Sequence, residues 1–144
     1  KYGFFHVRRG VIPDGYGHWT VPRAIGFART AELFLTGRKL TGKECLEMGL
    51  CSRVVPAAEV LPAAFEIARD IAVHVAPLSA ALSKRLLWES HGLTAESVER
   101  KETALHHVVM GRPDALEGVM AFLERRQPNW QLRVSKDWPE DWPE

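Results

Sequence analysis

A mostly α-helical fold with a small β portion is what this sequence predicts, on three observations. The second half holds four successive amphipathic helical patterns. The first half holds two short aromatic or β-branched runs, "YGFFHV" (2–7) and "CSRVVP" (51–56), each too brief for more than a scrap of sheet. Between the first run and the first helix lies "GVIPDGYGHW" (10–19), whose proline and glycines forbid regular structure and permit unusual torsions. With 144 residues, 46% of them hydrophobic, the chain can bury a real core, and one globular unit is expected.

In chain order, the first run predicts a strand ending near Arg8 or Arg9, at the edge of something larger. After the loop, a short helix is expected from Trp19 to Ile25. A second runs from Ala28 with Ala31, Phe34 and Leu35 on one side, stopped by Gly37. Thr41 followed by Glu44 is a capping-box pattern, opening a short helix that ends at Gly49. The run 51–56 is a brief strand. Apolar residues at 60, 61, 64, 68, 71 and 75 then form a helical stripe that Pro77 breaks. Further helices are expected over Leu78–Glu89, Thr94–Val109 and from Pro113 to about Arg126, the proline suiting a first turn. The tail "DWPEDWPE" repeats four residues and is too short to fold alone. The expected regions are 1–57, 58–128 and 129–144.

Bulk properties exclude several classes of function. Nineteen Lys and Arg against eighteen Asp and Glu leave a formal charge of +1, so no nucleic-acid or membrane footprint is expected. No apolar run approaches the roughly 20 residues of a membrane span, and no signal-peptide pattern opens the chain. Cys45 and Cys51 flank "LEMGL" without Cys-x-x-Cys spacing, which suits a reducing, cytoplasmic compartment. His106 and His107 are adjacent, so on a helix they diverge by about 100° and cannot share a metal. His18, His74 and His91 lack partners at ligand spacing, and no metal site is expected.

Few residues remain to carry chemistry. A strand-end His6 followed by a glycine-rich loop bearing Asp14 can set an imidazole and a carboxylate on one cavity wall, where either could move protons. The plainer alternative is a packed histidine and an aspartate holding a Pro-Asp-Gly turn through its own backbone. Composition alone favours the plainer one. Trp19 can line a pocket beside the loop, and Trp88 on its helix is expected in the core. Arg125 and Arg126, ending the last helix, can bind phosphate or simply complement the helix dipole.

The order of these pieces, through "YGFFHVRRGVIPDG", "VPRAIGFARTAELFLTGRKLTGKECLEMGLCSRVVP" and "DALEGVMAFLERRQPNW", resembles the C-terminal half of the crotonase superfamily, the enoyl-CoA hydratase/isomerase family. The resemblance implies the C-terminal half of a crotonase-type α/β fold with a helical trimerisation region, acting on an acyl group held as a coenzyme A thioester. It implies no permanently bound cofactor and a homo-oligomer, trimer or hexamer. Family enzymes stabilise an enolate with two backbone amides, and both belong to a part of the pattern that precedes residue 1. The chain is therefore expected to be a fragment, or one of two complementing halves, and inactive alone.

Residue by residue, the hydratases place a catalytic Glu where His6 stands, so the hydratase signature is broken here. Isomerase-like members carry an acid directly after the loop proline, the position of Asp14, and the dehalogenase branch has its nucleophilic Asp there. Asp14 is thus the leading candidate for a proton-shuttling base, with His6 as second polar group and Gly15 and Trp19 shaping the substrate wall. A branch that hydrolyses carbon–carbon bonds in cyclic diketones has a His at the His6 position, with its Asp one residue beyond Asp14. The family's basic contact to coenzyme A phosphates falls on Arg125, a guanidinium able to grip phosphate in a fork, and its adenine-packing aromatic falls on His106. A noncatalytic oligomerisation module is the reading from a different class.

Overall fold

The computed structural model describes residues 1–143 and is mostly helical. The chain forms two compact units instead of one, Lys1–Ala63 and a second from Ala64 onward. Each has its own buried apolar cluster.

In the first unit the expected strand over 2–7 does not form. Tyr2 and Leu40 exchange a single pair of backbone bonds, 2.9 and 2.8 Å, and the chain then coils into a 3-10 helix, His6–Arg9. A strand needs a neighbour to satisfy its amides, and one bridge is all this segment finds. The second expected strand, 51–56, is likewise irregular, and among the described residues no strand is present. The small β portion is thus reduced to that bridge.

Helix α1 (Gly17–Ile25) begins two residues earlier than expected, because the Tyr16 carbonyl accepts the Trp19 and Thr20 amides, both at 2.9 Å. In α2 (Phe27–Thr36) the buried face is Thr30, Leu33 and Phe34, whereas Leu35, expected among the packed residues, is 77% exposed. Positions i, i+3 and i+4 share a face, so the inward face that includes Thr30 takes Leu33 and Phe34 with it and leaves Leu35 outside. Helix α3 (Gly42–Met48) opens on the expected capping box: the Glu44 amide donates to Thr41 Oγ1 at 3.2 Å and the Thr41 amide to Glu44 Oε2 at 2.8 Å. Ile25, Leu33, Phe34, Leu40 and Cys45 make the core of this unit, with Phe4 packed against it.

Helix α4 (Val60–His74) carries the anticipated apolar stripe, yet buries none of its residues; Leu61, Phe65 and Ile71 are all exposed. In the second unit α5 (Pro77–Ser90) turns Leu78, Leu82 and Leu86 inward against Leu105 of α6 (Ala95–Met110). Trp88 falls on the other side of α5 and is exposed, contrary to the expectation of a core position. Helix α7 (Pro113–Glu124) starts at its proline and ends with Arg125 in the left-handed region.

The tail is more than a repeat. It forms the short helix α8 (Val134–Asp137) and is pinned at several points. The buried Asp114 carboxylate accepts the Gln131 amide at 2.7 Å, and Arg112 donates to the Asp137 carbonyl at 2.9 Å. Trp138 and Trp142 stack 5.6 Å apart against the leucine cluster, with the Arg85 guanidinium 3.9 Å from the Trp142 ring. Lys101, buried, donates to the Pro143 carbonyl and lies 3.8 Å from Glu89. Burial pushes the Glu89 carboxyl up, but hydrogen bonds from Arg85 and Trp142 and the charges of Arg85 and Lys101 more than offset it, so its pKa is lowered.

Candidate active-site loop

The loop between the 3-10 helix and α1 is built on its backbone. The Gly17 amide donates to the Asp14 carbonyl at 3.0 Å, closing a turn whose two central residues, Gly15 (φ 58°) and Tyr16 (φ 61°), are both left-handed. That is the sense of a type I′ turn. Glycine accepts it freely, whereas a tyrosine holds it at a cost of about 1–2 kcal/mol. Tyr16 also serves as the α1 N-cap, while the residue is 84% exposed. The cost is therefore not offset by burial of that ring.

Asp14 is exposed, and among the described residues no hydrogen bond or ion pair engages its carboxylate. The Asp14 main chain thus closes the turn, as the plainer reading expects, while its carboxylate takes no part in holding it. Asp14 lines none of the three concavities described below. His6 opens the 3-10 helix, half-buried, and its Nδ1 is inaccessible and without a hydrogen-bond partner. No hydrogen bond joins His6 to Asp14. Trp19, on the first turn of α1, has the Arg23 guanidinium 4.2 Å above its ring. A Cβ on Gly15 would meet open space, so only its torsion calls for glycine.

The remaining candidates lie in the second unit. His106 lines an apolar groove of about 510 Å³ between α5 and α6, with Leu82, Leu86, Leu105 and Val109 beside it. Arg125 lines a different concavity, about 700 Å³, with Phe122 and Trp130. The two neighbouring arginines differ sharply. Arg126 forks onto Glu117 at 2.6 and 2.9 Å and also binds Glu124, while Arg125 has no carboxylate partner among the described residues. The Arg126 bonds, followed by the Asn129 amide, hold the Glu117 pKa down to about 2, and the two carboxylates raise that of Arg126.

One cluster escaped sequence reasoning. Arg8, Arg9, Arg38 and Lys39 share a concavity of about 520 Å³ with Phe5 and Gly37. The signal was present in "VRRG" and "TGRKL", two basic pairs each beside a glycine, but nothing in the sequence brings residues 8 and 38 together.

Comparisons with known proteins bear on most of the chain. The family model described as Enoyl-CoA hydratase/isomerase matches residues 1–133. A probable mitochondrial enoyl-CoA hydratase of Dictyostelium discoideum is 37% identical over 129 residues, covering 90% of this chain and 46% of that protein. A carnitinyl-CoA dehydratase of Salmonella arizonae is 35% identical, covering 87% of this chain and 49% of its own length. The crystal structure of a probable enoyl-CoA hydratase/isomerase from Mycobacterium abscessus superposes with a TM-score of 0.90 at 48% identity, covering 92% of this chain and 52% of that one. The chain thus spans about half the length of the curated relatives it matches. With the family pattern running through loop, capping box and last helix alike, the chain belongs to the enoyl-CoA hydratase/isomerase family of the crotonase superfamily.

Proposed function

We propose that this chain supplies the C-terminal part of an acyl-CoA enzyme in which Asp14 moves a proton on the acyl chain of a coenzyme A thioester while the thioester oxygen carries enolate charge. The carrying observation is the loop itself: a costly left-handed pair at Gly15 and Tyr16 presents a carboxylate that no structural bond consumes. Strained positions on shaped loops are kept where something else over-determines them. The oxyanion donors belong to the portion of the family pattern ahead of residue 1. Aimed backbone amides lower such barriers by several kcal/mol, so the chain alone is expected to give no turnover of a short enoyl-CoA.

In this reading Trp19 and Gly15 shape the wall beside the acyl group. Arg125, left unpaired by carboxylates, takes the coenzyme A phosphates, and His106 packs on the adenine. No resident cofactor is required. The setting is a reducing, cytoplasmic one, consistent with the free thiols of Cys45 and Cys51. Among the described residues no helix is long and apolar enough to cross a membrane. Assembly into a trimer or hexamer is supported by Leu61, Phe65 and Ile71 of α4 and Phe122 of α7, all exposed. That surface equally suits a noncatalytic assembly role for the fragment.

A second reading, carbon–carbon bond hydrolysis with His6 activating water, is favoured by one observation, that no hydrogen bond consumes the Nδ1 of His6. The two separate cleanly in the complete gene product. Asp14→Asn is expected to lower turnover of an enoyl-CoA about 10²-fold or more while His6→Gln spares most of it. The opposite ranking, with activity titrating near neutrality, would transfer the assignment to His6.

A further inference from the structure

We propose that the concavity between the 3-10 helix and the α2–α3 connection is a phosphate-binding site, separate from Asp14 and from Arg125. Four cations, Arg8, Arg9, Arg38 and Lys39, line a space of about 520 Å³ in a chain whose formal charge is only +1. Arg38 is neutralised by Glu32 and Glu44, both at 2.8 Å. Arg8, Arg9 and Lys39 have no carboxylate within ion-pair distance among the described residues. Three like charges brought together without counterions repel one another, and an anion bound among them removes that cost.

The geometry is prepared for a fork. Arg8 Nε donates to the Thr36 carbonyl at 2.6 Å, which fixes the guanidinium while leaving its outer N–H groups for an acceptor. Its stem lies against Gly37, where a Cβ would come within 3.1 Å of Arg8 Cγ, so the glycine allows this close approach. Arg9 is tethered more loosely, through the Phe5 carbonyl at 3.3 Å and over the Phe5 ring. Planar guanidinium pairs with a flanking ammonium match a tetrahedral dianion. The ligand is an inorganic phosphate or a phosphate monoester.

The test is calorimetric titration of the full chain with inorganic phosphate and with adenosine 3′,5′-bisphosphate, against chloride at matched ionic strength. Saturable binding of either is expected, weakened at least tenfold in Arg9→Ala/Lys39→Ala, a variant that keeps the Arg8 bond to α2. Arg8→Lys, which retains charge and loses the fork, is expected to weaken it as well. Preference for the bisphosphate identifies a nucleotide phosphate as the source, and equal affinity identifies free phosphate. Binding no better than chloride, or unaltered by Arg9→Ala/Lys39→Ala, overturns the proposal. Because Asp14 is untouched, that failure leaves the acyl-CoA reading standing.

Discussion

At Gly37 one missing methyl group decides two things at once. The residue sits at φ 55°, where a side chain strains the backbone, and a Cβ there would press on the Arg8 stem at 3.1 Å. Gly37→Ala is therefore expected to cost about 1 kcal/mol or more, read as a lower denaturant midpoint. Acid stability rests on two carboxylates. The Thr41 amide, then Arg38 and the Thr41 hydroxyl, hold Glu44 down to about 2, as Arg126 does Glu117. Both pKa values lie below the ordinary 4.5, so their stabilisation is complete above about 4.5 and lost as pH falls toward about 2. Thermal melts over that interval should decline in the parent chain and flatten in Glu44→Gln/Glu117→Gln.

Among the helices, α3 shows how much a local signal can settle. Its start was legible because a capping box is a contract between residues three apart, and Thr41 and Glu44 fulfil it through their own bonds. Thr41→Ala should cost about 1 kcal/mol in chemical unfolding. The strands failed for the converse reason. Aromatic and β-branched residues at 4–7 and 51–55 record a preference, but pairing is decided by chain elsewhere, and only Leu40 answers Tyr2. The inward face of α2 was legible to within one residue, Phe34 packing as expected while Leu35 gives its place to Leu33, but Trp88 of α5, expected inside, is exposed. The candidate loop was readable as a loop from Pro13 and its glycines, but the left-handed Tyr16 was not, since no residue type announces it. The cationic concavity was hidden because the approach of Arg8 to Gly37, which brings the two basic pairs to one space, belongs to the fold.

For the whole chain, exposure sets the behaviour. An amphipathic α4 with Leu61, Phe65 and Ile71 all open to solvent is a surface that water penalises. The isolated polypeptide is expected to self-associate in sedimentation velocity, and Phe65→Asp/Ile71→Asp to return it toward monomer. That α4 would be helical was written in its periodicity; that its stripe would find nothing to cover it was not. Periodicity reports a need for burial and says nothing about the partner.

The paired indoles of Trp138 and Trp142 lie nearly parallel, with 8° between their planes. Two chromophores so close couple their transitions, and the tail thereby carries its own optical label. Near-ultraviolet circular dichroism should contain a signed band pair that vanishes in Trp142→Phe, and its loss on warming would time the release of the C-terminus separately from the melting of the helices beneath it.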